Sequence, residues 1–328
     1  MEHEHNETLQ EGFYLLALSS DGKDSWLIFM GLLLMYLLTV LGNMLIVILV
    51  SLVSQLHTPM YFFLCNLAAQ DIIFVSAILP KLLAITVTGD TNISFHGCIT
   101  QIFILAFCVD FFLLATMAYD RYVAICIPLR YYVIMNLRIC VLLVTSSWIV
   151  YVSNGICFSL LLSNLTFCKS HDLQYLFCDI KKILELSCGN ITHIEKVITV
   201  QVVLMGILPL VLILTSYICI IYAILKIRSS DARLKTFSSC SSHLTVVLLF
   251  SGTVISLYMN QESDDNHEQN NLLPLLYVGL VPMLNPLVYS LRNKQVWWAS
   301  KIVYEKFKGQ MLSLYSNKQK LNLPTVLV

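Results

Sequence analysis

The stretch Met117–Tyr131, MAYDRYVAICIPLRY, places a permanent positive charge where an apolar run ends. A guanidinium at the edge of a bilayer needs water, a carboxylate or carbonyl groups, because a charge at the bilayer centre costs about 2.5–3.5 kcal/mol on insertion scales. Asp120 is the nearest partner for Arg121 along the chain. Such a pair can also do no more than fix the depth of a helix in the membrane. Both interpretations predict that a membrane helix ends here.

The composition of the whole chain points to a membrane protein. Of 328 residues, 57% are hydrophobic and only 12% are charged. The mean hydropathy of +0.76 is too high for an ordinary soluble domain. Most apolar runs exceed the ~20 residues that cross hydrocarbon as a helix. We therefore predict an all-α membrane protein with a seven-transmembrane helix bundle, formed by the runs Trp26–Leu52, Pro59–Val87, Ile99–Tyr122, Ile139–Leu162, Val197–Leu225, Ser241–Tyr258 and Leu272–Leu291.

The basic residues predict the orientation of this bundle. Most of the 20 Lys and Arg residues fall on one side if the amino terminus is extracellular, and basic loops stay in the cytoplasm. Asn6 heads an Asn-Glu-Thr triplet on the outer side, which predicts N-glycosylation. Two histidines beside it are expected to be solvated, and no metal site is predicted. The expected divisions are an extracellular tail over 1–25, the helix bundle over 26–291 and a cytoplasmic tail over 292–328.

Three further stretches carry a resemblance to a known family. Together with Met117–Tyr131 they resemble the motifs of odorant receptors, a branch of the rhodopsin-like G-protein-coupled receptors. The resemblance covers about Phe13–Lys294. The three stretches are Leu56–Leu64 (LHTPMYFFL), Lys235–Leu244 (KTFSSCSSHL) and Pro282–Asn293 (PMLNPLVYSLRN).

The resemblance implies an odorant receptor in the plasma membrane, in the sensory cilia of olfactory neurons. It implies small apolar volatile ligands that bind within the helix bundle. The bound receptor would activate a stimulatory heterotrimeric G protein and raise cyclic AMP. The alternative interpretation is a rhodopsin-like receptor for a non-odour apolar metabolite.

The resemblance also implies a switch at the cytoplasmic side. Ligand binding would favour a state in which the sixth helix moves outward and Arg121 leaves Asp120, because a ligand shifts populations toward the state that it binds better. Pro286 cannot donate a backbone hydrogen bond and leaves a carbonyl group that Asn285 can satisfy within the bundle. The positions implied for G-protein coupling and switching are Asp120, Arg121, Tyr217, Lys235, His243, Asn285, Pro286 and Tyr289.

Two carboxylates lie at membrane depth, about three turns into the second and third helices. Asp71 and Asp110 must face the bundle interior and share a proton, a cation or hydrogen-bond donors. The resemblance implies a sodium-type pocket at Asp71 with Asp110 beside it. The other interpretation is a pair of protonated carboxyl groups that are bonded to neighbouring residues. Apart from this ion, no cofactor is predicted.

Four of the 11 cysteines fall in segments predicted to be extracellular, where disulfides persist. They are Cys98, Cys168, Cys178 and Cys188. Four cysteines allow three pairings, and spacing alone does not choose among them. The resemblance implies the pairs Cys98–Cys178 and Cys168–Cys188.

The predicted ligand cavity lies in the outer half of the bundle. Counting back in helical turns from Arg121 places part of the third helix on its wall, and no acid stands there to pair with an amine ligand. Ser251 lies where the family usually has an aromatic residue, which removes a large side chain from the predicted cavity floor. The predicted lining residues are Phe103, Ile104, Phe107, Cys108, Ile207, Ile255, Tyr258 and Tyr277.

Other classes of protein fit the sequence less well. Ser242 and His243 are adjacent on a helix and point in different directions, and neither Gly-x-Ser-x-Gly nor His-Glu-x-x-His occurs, so we expect no enzyme. A transporter would show inverted repeats with broken helices in corresponding halves. From Lys294 to about Lys308, after the last span, Trp297, Trp298 and Phe307 are mixed with lysines, as in an amphipathic helix along the inner leaflet. The expected partners are therefore membrane lipid, ligand and G protein, with no nucleic acid.

Overall fold

The computed structural model describes residues 12–18, 25–108, 111–167, 171–260, 274–291 and 294–321. Every structural statement below refers to these residues. Three predicted site residues lie outside them, namely Asn6, Asp110 and Cys168. The side chains of four others are likewise outside the described set, namely Phe107, Lys235, Tyr258 and Tyr289.

Helices dominate the described chain. The α-helices are α1 Ser25–Leu52, α2 Pro59–Thr88, α3 Phe95–Phe107, α4 Phe111–Cys126, α5 Tyr131–Ile134, α6 Leu137–Ser163, α7 Ile180–Leu186, α8 Thr192–Gln201, α9 Leu208–Leu225, α10 Ser230–Asn260, α11 Val281–Leu291 and α12 Lys294–Leu321. The other elements are the π-helices Val202–Ile207 and Leu276–Leu280, the 3-10 helices Ser54–Leu56 and Pro128–Arg130, and the strands β1 Phe13–Tyr14 and β2 Asn92–Ile93.

These helices form the predicted membrane bundle. Two adjoining helical pieces, Ser230–Ser238 and Cys240–Ser256, meet at a bend of 43° and make one further candidate span, and Leu276–Val288 is a shorter apolar helix. The segments coincide with the seven predicted runs, so the all-α membrane fold is confirmed. Within the described residues, the five helical segments that are long and apolar enough to cross a membrane unaided are Ser25–Leu52, Pro59–Thr88, Phe95–Cys126, Leu137–Ser163 and Thr192–Leu225.

The bundle buries one apolar face of each helix and exposes another to lipid. In α1, Leu27, Leu34 and Leu41 are exposed, and such side chains are stable in hydrocarbon as well as in a protein core. Helix α2 begins at Pro59 and ends at Thr88, and the residue that follows, Gly89, has a φ of 71° that suits glycine at a helix end. The centre of the core is formed by Phe63, Leu67, Ile78, Leu79, Leu113 and Met117.

The third span is not one continuous helix. Helix α3 ends at Phe107, and Cys108 has a non-helical ψ of 44°. Neighbouring helices bond to backbone groups there, as the Asn154 amide donates to the carbonyl of Ala106 at 2.7 Å and the N–H of Leu113 donates to the Tyr151 hydroxyl at 3.2 Å. Backbone groups in a membrane must be satisfied within the protein, so side chains of α6 compensate for this interruption.

The helix after the last span is longer than predicted. It runs for 28 residues from Lys294 to Leu321, so the expected end near Lys308 is wrong. Val296 and Ala299 are buried, whereas Trp297 and Trp298 are exposed. A helix that lies at a membrane surface likewise has apolar side chains both against the protein and on its outer face.

Candidate functional site

The cytoplasmic end of the third span holds a buried charge pair. The Arg121 guanidinium donates to the Asp120 carboxylate, with Nε 2.9 Å from Oδ2. Asp120 is fully buried, and its other oxygen accepts a hydrogen bond from the Tyr131 hydroxyl at 2.8 Å. Burial and the charge of Asp120 raise the pKa of Tyr131, so this hydroxyl keeps its proton and remains a donor. The structure therefore holds Arg121 in the arrangement paired with Asp120.

A second buried pair joins helices α9 and α10. The Tyr217 hydroxyl lies 2.5 Å from Nδ1 of His243, and the two rings are stacked with centroids 5.8 Å apart. His243 is fully buried, and its Nε2 has no hydrogen-bond partner in the described part of the chain. Because the pair bridges two helices, outward movement of α10 would separate Tyr217 from His243.

A polar network crosses the middle of the bundle. The amide of Asn285 in α11 donates to both oxygens of Asp71, at 2.9 and 3.2 Å. Asp71 is only 2% exposed, as a carboxylate at membrane depth requires. In α1, Asn43 donates to the carbonyls of Thr39 and Pro282 at 3.0 and 3.2 Å. The network thus ties α1, α2 and the proline-containing α11 together.

The predicted lining residues of the third span do not all face one cavity. Phe103 packs against Gly155 of α6, where an added Cβ would lie 2.8 Å from its ring. The thiol of Cys108 instead donates to the carbonyl of Gln70 in α2 at 3.7 Å. Ile104 is partly buried against the core. Helix α3 ends between Phe103 and Cys108, so its faces cannot be extrapolated past Phe107, and the contact of these residues with a ligand stays a prediction.

Two predicted lining residues of other spans face outward. Ile207 is 51% exposed and belongs to an exposed stripe with Val211, Leu214 and Ile218, whose spacing of four, three and four residues marks one helix face. Ile255 is 54% exposed and lies seven residues after exposed Leu248 on the same side of α10. These faces of α9 and α10 point away from the bundle core, and the contact of Ile207 and Ile255 with a ligand stays a prediction.

An aromatic cluster in the core was missed from the sequence, apart from Tyr277. The Phe250 ring of α10 meets Phe111 of α4 edge-on at 4.8 Å and lies 6.2 Å from Tyr277. Phe74 of α2 completes the cluster, 5.6 Å from Tyr277. Beside it, Ser251 is buried, and its hydroxyl has no partner within the described residues. The aromatic residues lie on four different spans, so only their convergence in space reveals the cluster.

The extracellular mouth is crosslinked. Cys98 and Cys178 form a disulfide, which is the pair implied by the resemblance. Cys188 is also disulfide-bonded, and its predicted partner Cys168 lies outside the described residues. The Gln101 side chain, missed from the sequence, accepts from the N–H of Cys178 at 3.1 Å and donates to the carbonyl of Ala77 at 3.0 Å. The long loop is thereby fixed to both the second and third spans.

Comparison with known proteins agrees with this architecture. The family model described as olfactory receptor matches residues 32–306. The chain belongs to the olfactory receptor family. Olfactory receptor 1E16 of Mus musculus is 43% identical over 310 residues, which cover 94% of this chain and 99% of that protein. Olfactory receptor 1F1 of Homo sapiens is 44% identical over 301 residues, covering 91% and 96% of the two chains.

Olfactory receptor 1C1 of Homo sapiens extends the pattern, with 42% identity over 293 residues that cover 89% of this chain and 93% of that one. As an olfactory receptor, the protein is a multi-pass membrane protein and a G-protein-coupled receptor, and the prediction that it is not an enzyme is confirmed. The polar networks and aromatic cluster described above are therefore parts of a receptor.

Proposed function

We propose that this olfactory receptor binds small apolar volatile molecules in the bundle and activates a stimulatory heterotrimeric G protein, which raises cyclic AMP. The observation that carries the proposal is the Arg121–Asp120–Tyr131 arrangement, a buried charge at the cytoplasmic end that is held by breakable hydrogen bonds. Release of Arg121 would expose a cationic side chain on the surface where a G protein binds. We further propose the sensory cilia as the site of action.

We propose that the ligand contacts the aromatic cluster of Phe74, Phe111, Phe250 and Tyr277. These rings offer apolar and edge-to-face contacts. Burying about 300 Å² of ligand would contribute about 7.5 kcal/mol at 25 cal/mol per Å² before ordering costs. We therefore expect affinities near or weaker than micromolar.

Transmission follows from the position of Phe250 in α10. The same helix carries His243, which contacts Tyr217 two turns closer to the cytoplasm. A ligand that fits the cluster better when α10 has moved outward would favour loss of the Tyr217–His243 contact. The resulting space would allow Arg121 to leave Asp120. Only the difference in ligand affinity between the two states drives this change.

The test is a cyclic AMP assay in cells that express the receptor with a stimulatory olfactory-type G protein. A broad panel of apolar volatiles is applied to the unmutated receptor and to Arg121→Ala, with surface amounts matched by antibody labelling. We expect a response to some volatiles that Arg121→Ala abolishes. A response of equal size in the Arg121→Ala variant would contradict the proposal.

A sodium ion at Asp71 is a further proposal of the same mechanism. Both carboxylate oxygens of Asp71 accept from Asn285, and carboxylate oxygens are ligands that hard cations prefer. With Asp110 it would hold the ion and favour the resting state. The melting temperature of the purified receptor should rise with sodium relative to choline at constant ionic strength, and Asp71→Asn should remove the rise. An unmutated receptor that melts identically in both salts would rule out the ion.

A further inference from the structure

The segment Phe13–Leu16, called the strap here, joins the two extracellular loops. Strand β1 pairs antiparallel with β2, with Phe13 opposite Ile93. On its other side, the N–H of Tyr14 donates to the carbonyl of His171 at 2.9 Å, and the N–H of Leu173 donates to the carbonyl of Tyr14 at 2.7 Å. Leu16 adds a bond from its N–H to the carbonyl of Tyr175 at 2.9 Å. The strap is thus the middle strand between the first loop and the long second loop.

Side chains alternate across the strap as in any strand. Phe13 is 1% exposed and packs against Phe95, Phe167 and His171, with ring centroids 5.3–6.3 Å apart. Tyr14 is 49% exposed. The backbone of Gly12 also packs tightly against β2, since an added Cβ at Gly12 would lie 2.1 Å from the carbonyl oxygen of Ile93. Phe13 therefore anchors the strap, whereas the next residue faces outward.

The second loop continues from the strap to the wall of the bundle. Tyr175 and Phe177 are buried, and their rings are 5.0 Å apart. Cys178 follows directly, bonded to Cys98 of the third span and to the amide oxygen of Gln101. A short chain of contacts therefore links Phe13 to the second loop and to the top of the third span.

We propose that Phe13 is a positioning residue for ligand binding, which holds the second loop across the bundle mouth and thereby slows the escape of bound volatiles. The inference rests on the proposed function, since it assigns a role to the amino-terminal segment in the same binding site. It gives Phe13, which precedes the first span, a role in holding the second loop, whereas the exposed Tyr14 has no such role. Loosening the strap should open the mouth without touching the cytoplasmic switch.

The first test needs no ligand. Backbone hydrogen exchange is measured on purified receptor in lipid nanodiscs for the unmutated protein, Phe13→Ala, and the matched control Tyr14→Ala. We expect exchange in peptides covering 171–178 to quicken by at least about five-fold in Phe13→Ala, within the range of ordinary coupling factors, and to stay unchanged in Tyr14→Ala. Phe13→Leu, which keeps an apolar side chain, should restore most of the protection. Gly12→Ala should act like Phe13→Ala from the backbone side.

The second test measures ligand escape, with the volatile that gives the largest cyclic AMP response in the panel as the probe. After wash-out, the signal of Phe13→Ala should decay at least about five-fold faster than that of Tyr14→Ala, when the two variants are compared at matched surface amounts. Equal decay rates, or unchanged exchange at 171–178, would overturn the strap proposal. Silence of the unmutated receptor to the whole panel counts instead against the proposed function, and hydrogen exchange then decides the strap alone.

Discussion

Single residues at the cytoplasmic face hold the receptor in its paired arrangement. Asp120 is fully buried, yet its carboxylate receives donors from both Arg121 and Tyr131. A buried carboxylate with one partner missing carries a desolvation cost that the remaining partner must offset. Tyr131 therefore stabilises the paired state from the loop side, independently of Arg121.

Removing the Tyr131 hydroxyl should raise activity without ligand. A hydrogen bond to a charged group contributes about 1.5–3 kcal/mol, so we expect Tyr131→Phe to increase basal cyclic AMP several-fold. The matched control is Tyr132→Phe, since the neighbouring Tyr132 is 87% exposed. Basal activity is compared at equal surface amounts, and an increase of the same size in both variants would argue against a specific tie to Asp120.

The partly buried carboxylate of Asp179 predicts a pH dependence of stability. Asp179 caps helix α7 by accepting from the N–H groups of Lys181 and Lys182 at 2.9 and 3.4 Å. Burial nevertheless raises its pKa, and these backbone bonds offset the rise only in part. When the pKa of an acid is higher in the folded state, the acid's contribution to the free energy of unfolding is fully present below its pKa in the unfolded chain. That contribution is lost as pH rises through the pKa of the folded state.

Replacement of this carboxylate by an amide should remove its pH dependence. Asp179→Asn keeps an oxygen that can cap the helix but does not ionise. The melting temperature of the unmutated receptor should fall as pH rises, in part because Asp179 ionises. We expect Asp179→Asn to lack this part of the fall. At neutral pH its melting temperature should equal or exceed that of the unmutated receptor. Thermal melts of both proteins across mildly acidic to neutral pH provide the measurement. A variant that is less stable at every pH would show that the ionised carboxylate is needed.

At the scale of helices, α1 and α11 touch where the proline lies. An added Cβ on Gly42 would lie 2.9 Å from Cγ of Pro286, and a proline ring cannot move aside as a flexible side chain can. The contact lies close to the Asn43 bond to the Pro282 carbonyl. A small residue is therefore required at this crossing, as at many contacts between membrane helices.

Filling this crossing should destabilise the bundle. We expect Gly42→Ala to cost about 1–3 kcal/mol, as other overpacked sites do, and so to lower the melting temperature and surface amount. Gly31→Ala in the same helix is the matched control, since nothing lies within 4 Å of its added Cβ. Equal melting temperatures of Gly42→Ala and Gly31→Ala would show that α1 and α11 can move apart to accommodate the added methyl group, which would contradict the prediction.

At the scale of the whole receptor, one covalent bond restrains a large part of the chain. The disulfide joins residues separated by 80 positions and ties the second loop to the third span. Closing a loop of this length lowers the entropy of the unfolded chain by an amount equivalent to about 4–5 kcal/mol. That is a large share of the stability of a folded protein.

Loss of this bond should prevent normal folding. We expect the double variant Cys98→Ala, Cys178→Ala to reach the cell surface in much smaller amounts and to melt at a lower temperature. Cys157→Ala, which removes an exposed free thiol in α6, serves as the control. Normal surface amounts and unchanged melting of the double variant would show that noncovalent contacts suffice to hold the loop.

The sequence by itself determined the helices, their order and the family, and it singled out Asp71 and Arg121, whereas the bond from Asn285 to Asp71 appeared only in the structure. These features follow from local rules, because hydrocarbon requires each span to satisfy its own backbone bonds. Tertiary structure alone decided which helix faces meet. Ile207 turned outward, and Phe250 joined rings from three other spans. Phe13 contacts aromatic residues that lie 80 or more positions further along the chain. Local patterns do not predict such contacts, because helix rotation and loop closure depend on packing of the whole bundle.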